Sequence, residues 1–230
     1  MNLFEKEALV NKAAEEFENQ SPEELIRWAV NTFPSITLAC SFGAEDVVLV
    51  DMLHKVSPET DIFYLDTNVH FQETYNTRDR LEDHYQKSFI QVLPKLTLEE
   101  QAAQYGAELW LSAPNECCNI RKVDPLTDIL KNYDAWITGI RRDQAPTRAN
   151  AKKVEYDVKF GLVKFNPLAG WTSDDVWDYI RSNGIIYNAL HDQNFPSIGC
   201  SHCTNPVAPG EDPRAGRWAG NDKTECGLHK

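Results

Sequence analysis

The stretch that decides the architecture is "SITLACSFGAEDVVLVDMLHKV", residues 35–56. Residues 35–40 are short and apolar, as in a buried strand. Ser41 to Ala44 form a turn of mostly small residues, and a helix is expected from there to about Val56. The same unit recurs downstream. In "DIFYLDTNVHFQETYNTRDRLEDHY" a strand is expected over 61–65, a loop from Asp66 to His70 and a helix over 71–85. "FIQVL" (89–93) reads as a third strand followed by a helix from Thr97, and "AWITGI" (135–140) as a fourth. Alternating strands and helices predict an α/β fold: an open, mainly parallel sheet with helices on both faces. Such sheets bind ligands outside the carboxyl ends of their strands. That places Ser41–Gly43, Asp66–Thr67 and Gly139–Arg142 at the candidate site.

Two helices are expected before this unit. One covers roughly 3–19, with a weak apolar stripe of Leu3, Phe4, Ala8, Ala14 and Phe17. The other begins at "SPEELIRWAV", where Ser21 caps, Pro22 opens and Glu24 completes a capping box; Pro34 ends it. After Ala149, "KKVEYDV" and "GLVKFNPL" read as a hairpin or two extended segments, and "TSDDVWDYI" as a helix capped by Thr172 or Ser173. Periodicity fades from Asn188. The expected organisation is one α/β domain over 1–203 and a C-terminal tail over 204–230. Glycines at 210, 216, 220 and 227 suit a tail that must bend.

Hydrophobic residues make up 42% of the 230, enough for a real core. No apolar run approaches membrane-spanning length, and the N-terminus lacks the basic start and apolar block of a secretory signal. A soluble cytoplasmic protein is expected. A formal net charge of -12 argues against nucleic-acid binding, which needs phosphates neutralised by Lys and Arg. A small anionic ligand remains compatible where cations are focused. They fall in three clusters: Arg121 and Lys122; Arg141, Arg142 and Arg148; Arg214 and Arg217.

The turn "SFGAED" (41–46) offers backbone N–H groups and a helix N-terminus to an anion, yet it is neither a Walker loop nor a three-glycine dinucleotide fingerprint. A Ser/Gly loop here suits a phosphate, and "LDTN" (65–68) a ribose or base edge. Of the six cysteines, Cys117 and Cys118 are adjacent and Cys200 and Cys203 form a C-x-x-C. Four thiolates suit zinc or an iron–sulfur cluster. Adjacent helical residues point about 100° apart, which strains a small tetrahedral zinc site more than a cubane with several iron corners. A 4Fe–4S cluster is therefore favoured over zinc, with unrelated buried thiols or a redox-active C-x-x-C as the bland alternatives. Cys40, at the end of a buried strand, reads as a small apolar residue. Cys226 stands alone in the tail, in "KTECGLHK" (223–230).

"CCNIRKVDPL", "ITGIRRDQAPTR", "YNALHDQNFPSIGCSHCTNPV", "GEDPRAGRWAG" and "KTECGLH" together resemble the assimilatory adenylyl-sulfate reductases, the iron–sulfur-containing subgroup of the phosphoadenylyl-sulfate reductase family. The resemblance runs from about 36 to 229. It implies a PP-loop-type adenine-nucleotide fold with "SFGAED" as the modified phosphate loop. It implies a 4Fe–4S cluster on Cys117, Cys118, Cys200 and Cys203, and Cys226 as the nucleophile. Adenosine 5′-phosphosulfate would lose its sulfur to Cys226, and thioredoxin or a glutaredoxin-like dithiol would release sulfite. The 3′-phosphorylated nucleotide is the alternative substrate, and a homo-oligomer stays open beside a monomer. A thiolate must meet a phosphosulfate, so cations are needed at the point of attack: Lys122, Arg214 and Arg217, with Arg141 and Arg142 on the phosphate side. Ser41, Phe42, Gly43, Asp66 and Thr67 complete the expected nucleotide contacts, with His229 as a helper in the tail. Glu225, beside Cys226, is expected to disfavour the thiolate. The competing readings are a PP-loop ATP-using enzyme, which the altered loop disfavours, and a zinc-binding interaction module.

Overall fold

The computed structural model describes residues 3–220 and 223–228. His229 lies outside the described residues. Six strands form one sheet: β1 (Ile36–Ala39), β2 (Asp61–Leu65), β3 (Ile90–Val92), β4 (Ala135–Ile137), β5 (Val154–Asp157) and β6 (Leu162–Phe165). Their spatial order is β3-β2-β1-β4-β6-β5. Every pairing is parallel except β5 with β6. The expected open, mainly parallel α/β sheet is therefore present. The segments after Ala149 do form a hairpin, and its second strand joins β4 in parallel. The order reverses between β1 and β4, so a crevice opens there at the carboxyl ends of the strands.

Alternate residues of the strands feed two cores. Leu38, Ile62, Ile137 and Phe165 face one side, buried with Leu25 and Ile26 of α2 (Pro22–Thr32), Val47 and Met52 of α3 (Ala44–Val56), and Val176 and Ile180 of α9 (Ser173–Asn183). Phe63, Trp136 and Leu162 face the other, against Leu126 and Leu130 of α8 (Asp124–Leu130) and Leu228 of the tail. Helices thus cover both faces, and the tail supplies part of the second core. α1 (Leu3–Glu16) lies against β5. The capping box of Ser21 and Glu24 is formed in both directions. Thr172, rather than Ser173, caps α9.

The segment between α5 (Leu98–Tyr105) and β4, which the sequence reading left without elements, holds α6 (Leu109–Ser112) and a continuous helix with an irregular middle. α7 (Pro114–Cys118) passes into a π-helical turn over Asn119–Val123 and then into α8. The Asp124 N–H bonds the Asn119 carbonyl, five residues back. Pro125 follows: it has no N–H to give the preceding turn, and its ring crowds the carbonyl there. A widened turn is one way a helix carries such a residue without breaking.

The chain after Cys203 is fastened to the body. Thr204 and Arg217 form an antiparallel bridge, Asn205 donates to the Gly216 carbonyl, and Trp218 donates to the Cys203 carbonyl. A Cβ at Gly216 would lie 2.0 Å from the Asn205 oxygen, so close backbone approach, not bending, requires glycine there. Among the described residues, no helix is long and apolar enough to cross a membrane.

Candidate active site

Two adjoining cavities lie above the carboxyl ends of β1, β2 and β4. The larger encloses about 330 Å³. Its walls come from the 39–46 turn, from Phe63–Leu65, from Trp136 and Thr138–Arg141, and from Arg148, Arg214, Arg217, Cys226 and Leu228. The smaller is lined by Cys117, Cys118, Cys200 and Cys203, with Arg121, Trp110 and His202. Lys122 and Arg217 line both, so they form the wall between the chambers.

The turn after β1 is built around a carboxylate. Asp46, buried in the first turn of α3, accepts from both the N–H (2.6 Å) and the hydroxyl (2.5 Å) of Ser41. Burial raises its pKa to about 6 even though those two hydrogen bonds pull it down. Gly139, on β4's exit, is obligatory: a Cβ there would lie 2.3 Å from the Asp46 carboxylate. Ser41 is thus present at the cavity, but its donors are held by an internal anion rather than left for a phosphate. Phe42 sits at a positive φ of 62°, and its buried ring packs on Tyr64 and Phe89. It shapes the turn from below, and Gly43 caps α3 through its backbone.

Three expected contacts are corrected by the structure. Asp66 and Thr67 do not line the larger cavity. Asp66 accepts from the Asn68 N–H, the Tyr75 hydroxyl and the Gln91 amide. Burial alone would raise its pKa, but these three donors outweigh it and hold the carboxyl below its ordinary value. Its role is to tie the loop after β2 to α4 (Gln72–Tyr85) and to β3. Thr67 is fully buried on the other side, its hydroxyl 3.4 Å from the Cys200 sulfur. Arg142 turns away altogether. Its guanidinium grips both oxygens of Glu18 at 2.7 and 2.9 Å and the Ala151 carbonyl at 2.7 Å, fastening the N-terminal segment. Its neighbour Arg141 stays at the cavity, paired with Glu45 at 2.9 Å and with Asp143.

The tail closes the cavity. Cys226 is half-buried at its edge. Glu225 points inward, 6% exposed, and accepts from Arg148 Nε (2.9 Å) and Nη2 (2.8 Å), from Thr147 (3.1 Å) and from Arg214 (3.3 Å). Burial would raise its pKa, but the two guanidiniums hold it below the usual carboxylate range. The Glu225 carboxylate beside Cys226 is thus paired with the guanidiniums of Arg148 and Arg214. The contact of Arg148 and Thr147 with Glu225, made across 77 and 78 residues, has no local signal in the sequence. Arg214 also grips the Thr224 carbonyl at 2.7 Å. Lys223 reaches the Pro114 carbonyl and the Asn115 amide oxygen, and Lys159 the Gly227 carbonyl.

In the smaller chamber all four thiols are free, and Trp110 stacks on His202 over one wall at 4.2 Å. The C-x-x-C is positioned by the His70–Cys200 bridge and by the Ser201 N–H on the Val69 carbonyl. Arg217 lies over the Trp218 ring at 4.5 Å and bonds Ser197 and Ile198. A Cβ on Gly199 would run into its guanidinium. The Nε groups of Arg121 and Arg217 are buried without a partner among the described residues, and Lys122 stands beside them. Among the described residues, no carboxylate lines this chamber. Among the described residues, no three His, Cys, Asp or Glu side chains are gathered tightly enough to hold a single metal ion. Four thiols beside buried guanidinium N–H groups make a donor set compatible with a thiolate-ligated, anionic group.

The sheet and its crevice define the class first. The same architecture occurs in FMN adenylyltransferase from Candida glabrata (TM-score 0.57, 15% identity, covering 90% of this chain and 76% of that one), a likeness of fold alone. Phosphoadenylyl-sulfate reductase from Candida auris, solved as a phosphate complex, matches much better: TM-score 0.76, 32% identity, 86% of this chain and 96% of that one. Residues 35–206 match the phosphoadenosine phosphosulfate reductase domain. Adenosine 5′-phosphosulfate reductase of Staphylococcus haemolyticus is 49% identical over 228 residues, 98% of this chain and 94% of that protein. Adenosine 5′-phosphosulfate reductase 2 of Bacillus subtilis is 50% identical over 209 residues, covering 90% and 89%. The chain belongs to the phosphoadenosine phosphosulfate reductase family.

Proposed function

We propose that this protein reduces adenosine 5′-phosphosulfate to sulfite and AMP, with Cys226 as nucleophile and thioredoxin as reductant, in cytoplasmic sulfate assimilation. The observation that carries the reading is the placement of Cys226 at the nucleotide cavity, facing a wall of Lys122, Arg214 and Arg217. A thiolate and a phosphosulfate repel each other, and three cations at the point of approach offset that. The Cys226 sulfur attacks the sulfate sulfur, a sulfur–sulfur bond forms, the bond to the bridging phosphate oxygen breaks, and AMP leaves with that oxygen. A thioredoxin thiolate then attacks the Cys226 sulfur and expels sulfite, which carries away the electron pair. The partner's second thiol resolves the mixed disulfide, so the dithiol supplies both electrons and Cys226 is regenerated.

Two carboxylates of the turn favour the nucleotide without a 3′-phosphate. Asp46 already occupies the donors of Ser41, and Glu45 accepts from Nε of Arg141. A further dianion placed at this turn meets negative charge instead of free N–H groups. The relatives named above as adenosine 5′-phosphosulfate reductases agree with this preference. Cys117, Cys118, Cys200 and Cys203 would hold a 4Fe–4S cluster, which supplies a compact anionic body behind Lys122 and Arg217. The unpartnered Arg121 and Arg217 N–H groups support that assignment. The test is steady-state kinetics with both nucleotides, using anaerobically purified protein and reduced thioredoxin. Sulfite release from adenosine 5′-phosphosulfate with a higher kcat/KM than from its 3′-phosphorylated form is expected. Preference for the latter would overturn the substrate assignment, and no sulfite from either would overturn the reaction.

A further inference from the structure

The tail must bring one sulfur to one place, and most of its backbone has no regular structure to set that place. Residues 223–228 form no helix or strand. What orders them is a few side-chain contacts, and the most buried is the carboxylate next to the nucleophile. Glu225 is sunk among groups drawn from two distant segments: Thr147 and Arg148, from the loop after β4, and Arg214, from earlier in the tail. Arg148 uses all three of its guanidinium nitrogens within the chain. Its Nε and Nη2 take the two Glu225 oxygens and its Nη1 takes Gln144. Gln144 in turn accepts from the Arg141 N–H and donates to the Gly139 carbonyl at the end of β4. A continuous chain of hydrogen bonds therefore runs from the sheet to the residue that precedes Cys226.

We propose that Glu225 is the positioning residue of the tail: clamped by Arg148 and Arg214, it sets the register of Cys226 over the nucleotide cavity. The inference rests on the assignment of Cys226 as nucleophile. Glu225 does not line the cavity itself, whereas Arg148 and Arg214 do. The tail is therefore anchored on guanidiniums that border the cavity, while the anchoring carboxylate stands behind them.

The clamp is read first without any turnover. In nucleotide-free protein kept anaerobic, the rate of iodoacetamide labelling at Cys226 is followed by mass mapping of its peptide. Glu225→Ala and Arg148→Ala should each speed labelling about fivefold or more, as a locally ordered segment opens. The double variant should label no faster than either single one, because both remove the same contact. Glu225→Asp should recover part of the protection and Glu225→Gln little, since the amide presents N–H groups to arginine donors. Equal labelling in all variants, or additive effects, overturns the clamp. A second reading separates positioning from general damage. In a single turnover without reductant, Glu225→Ala should slow formation of the sulfonated Cys226 peptide by about a hundredfold, the scale of a misplaced reacting group, while AMP affinity stays as in the parent. A matching loss of AMP affinity would make Glu225 a structural support of the cavity and overturn the proposal. Absence of the adduct in the parent protein would instead refute the assigned reaction, and the labelling rates would still decide the clamp.

Discussion

The two chambers share a wall and differ in how their charges are balanced. In the larger cavity most cations have an anion of the chain beside them: Arg141 has Glu45 and Asp143, and Arg148 and Arg214 have Glu225. In the thiol chamber Arg121, Lys122 and Arg217 stand with four cysteines and, among the described residues, no carboxylate. The charges of the first chamber are largely balanced from within, whereas the second keeps guanidinium Nε groups without a partner among the described residues. Lys122 and Arg217 belong to both, so whatever resides in the second chamber is felt in the first.

The sharpest division of labour between the chambers concerns the sulfurs. Cys226→Ser should abolish sulfite release, a loss of at least about a thousandfold, because a serine hydroxyl stays protonated near neutral pH. Iron content and AMP binding should be untouched; a parallel loss of iron would show that the chambers are not separable in this way. Cys200→Ser is the mirror experiment. The parent should carry about four iron and four sulfide per chain, and the variant should lose them together with the brown colour, measured by metal analysis and visible absorbance. Stoichiometric zinc without sulfide in the parent would break the comparison.

The shared wall comes next in size. Lys122→Ala or Arg217→Ala should each cost about 2–4 kcal/mol in kcat/KM, the scale for a preorganised charge at a reacting anion. Arg142→Ala, turned toward Glu18, should instead change kcat/KM little and lower stability by only about 1 kcal/mol or less, as for other partly exposed ion pairs. Between these lies a pH effect at the turn. Burial raises the pKa of Asp46 to about 6, so the carboxylate is charged at pH 7–8 and becomes neutral as pH falls below 6. Discrimination against the 3′-phosphorylated nucleotide should therefore shrink as pH drops from 8 to 5. Asp46→Asn should flatten that profile, with the ratio of kcat/KM values as the measurement.

The fold was legible because its signal is local. Strand residues 36–39 and 61–65, the Ser21 capping box and the hairpin after Ala149 announce themselves within a few residues. Spacing singled out the cysteine pairs, whose four thiols line one chamber, and the family resemblance singled out Cys226, which lines the other. What escaped depends on partners far along the chain. Nothing near Arg142 says that Glu18, 124 residues earlier, will take it, nor that Glu225 will meet Arg148 across 77. Asp66 reads as a free acid until three donors from α4, β3 and its own loop are seen on it. The 119–123 turn left one trace, Pro125, a residue a regular helix interior tolerates poorly.

That turn fixes an angle. A π turn carries an extra residue over nearly the same rise, so it offsets the azimuth of everything before it from everything after by about 100°, one residue's rotation. Leu126 and Leu130 lock the later half to the sheet. The extra residue therefore dictates the direction in which Cys117 and Cys118 leave the helix. Deleting a single residue from 119–123 would restore an ordinary ladder and keep the sheet contacts, yet swing both sulfurs away from Cys200 and Cys203. The helix behaves as a keyed shaft, in which an apparent flaw in winding is what brings the two cysteine pairs into phase.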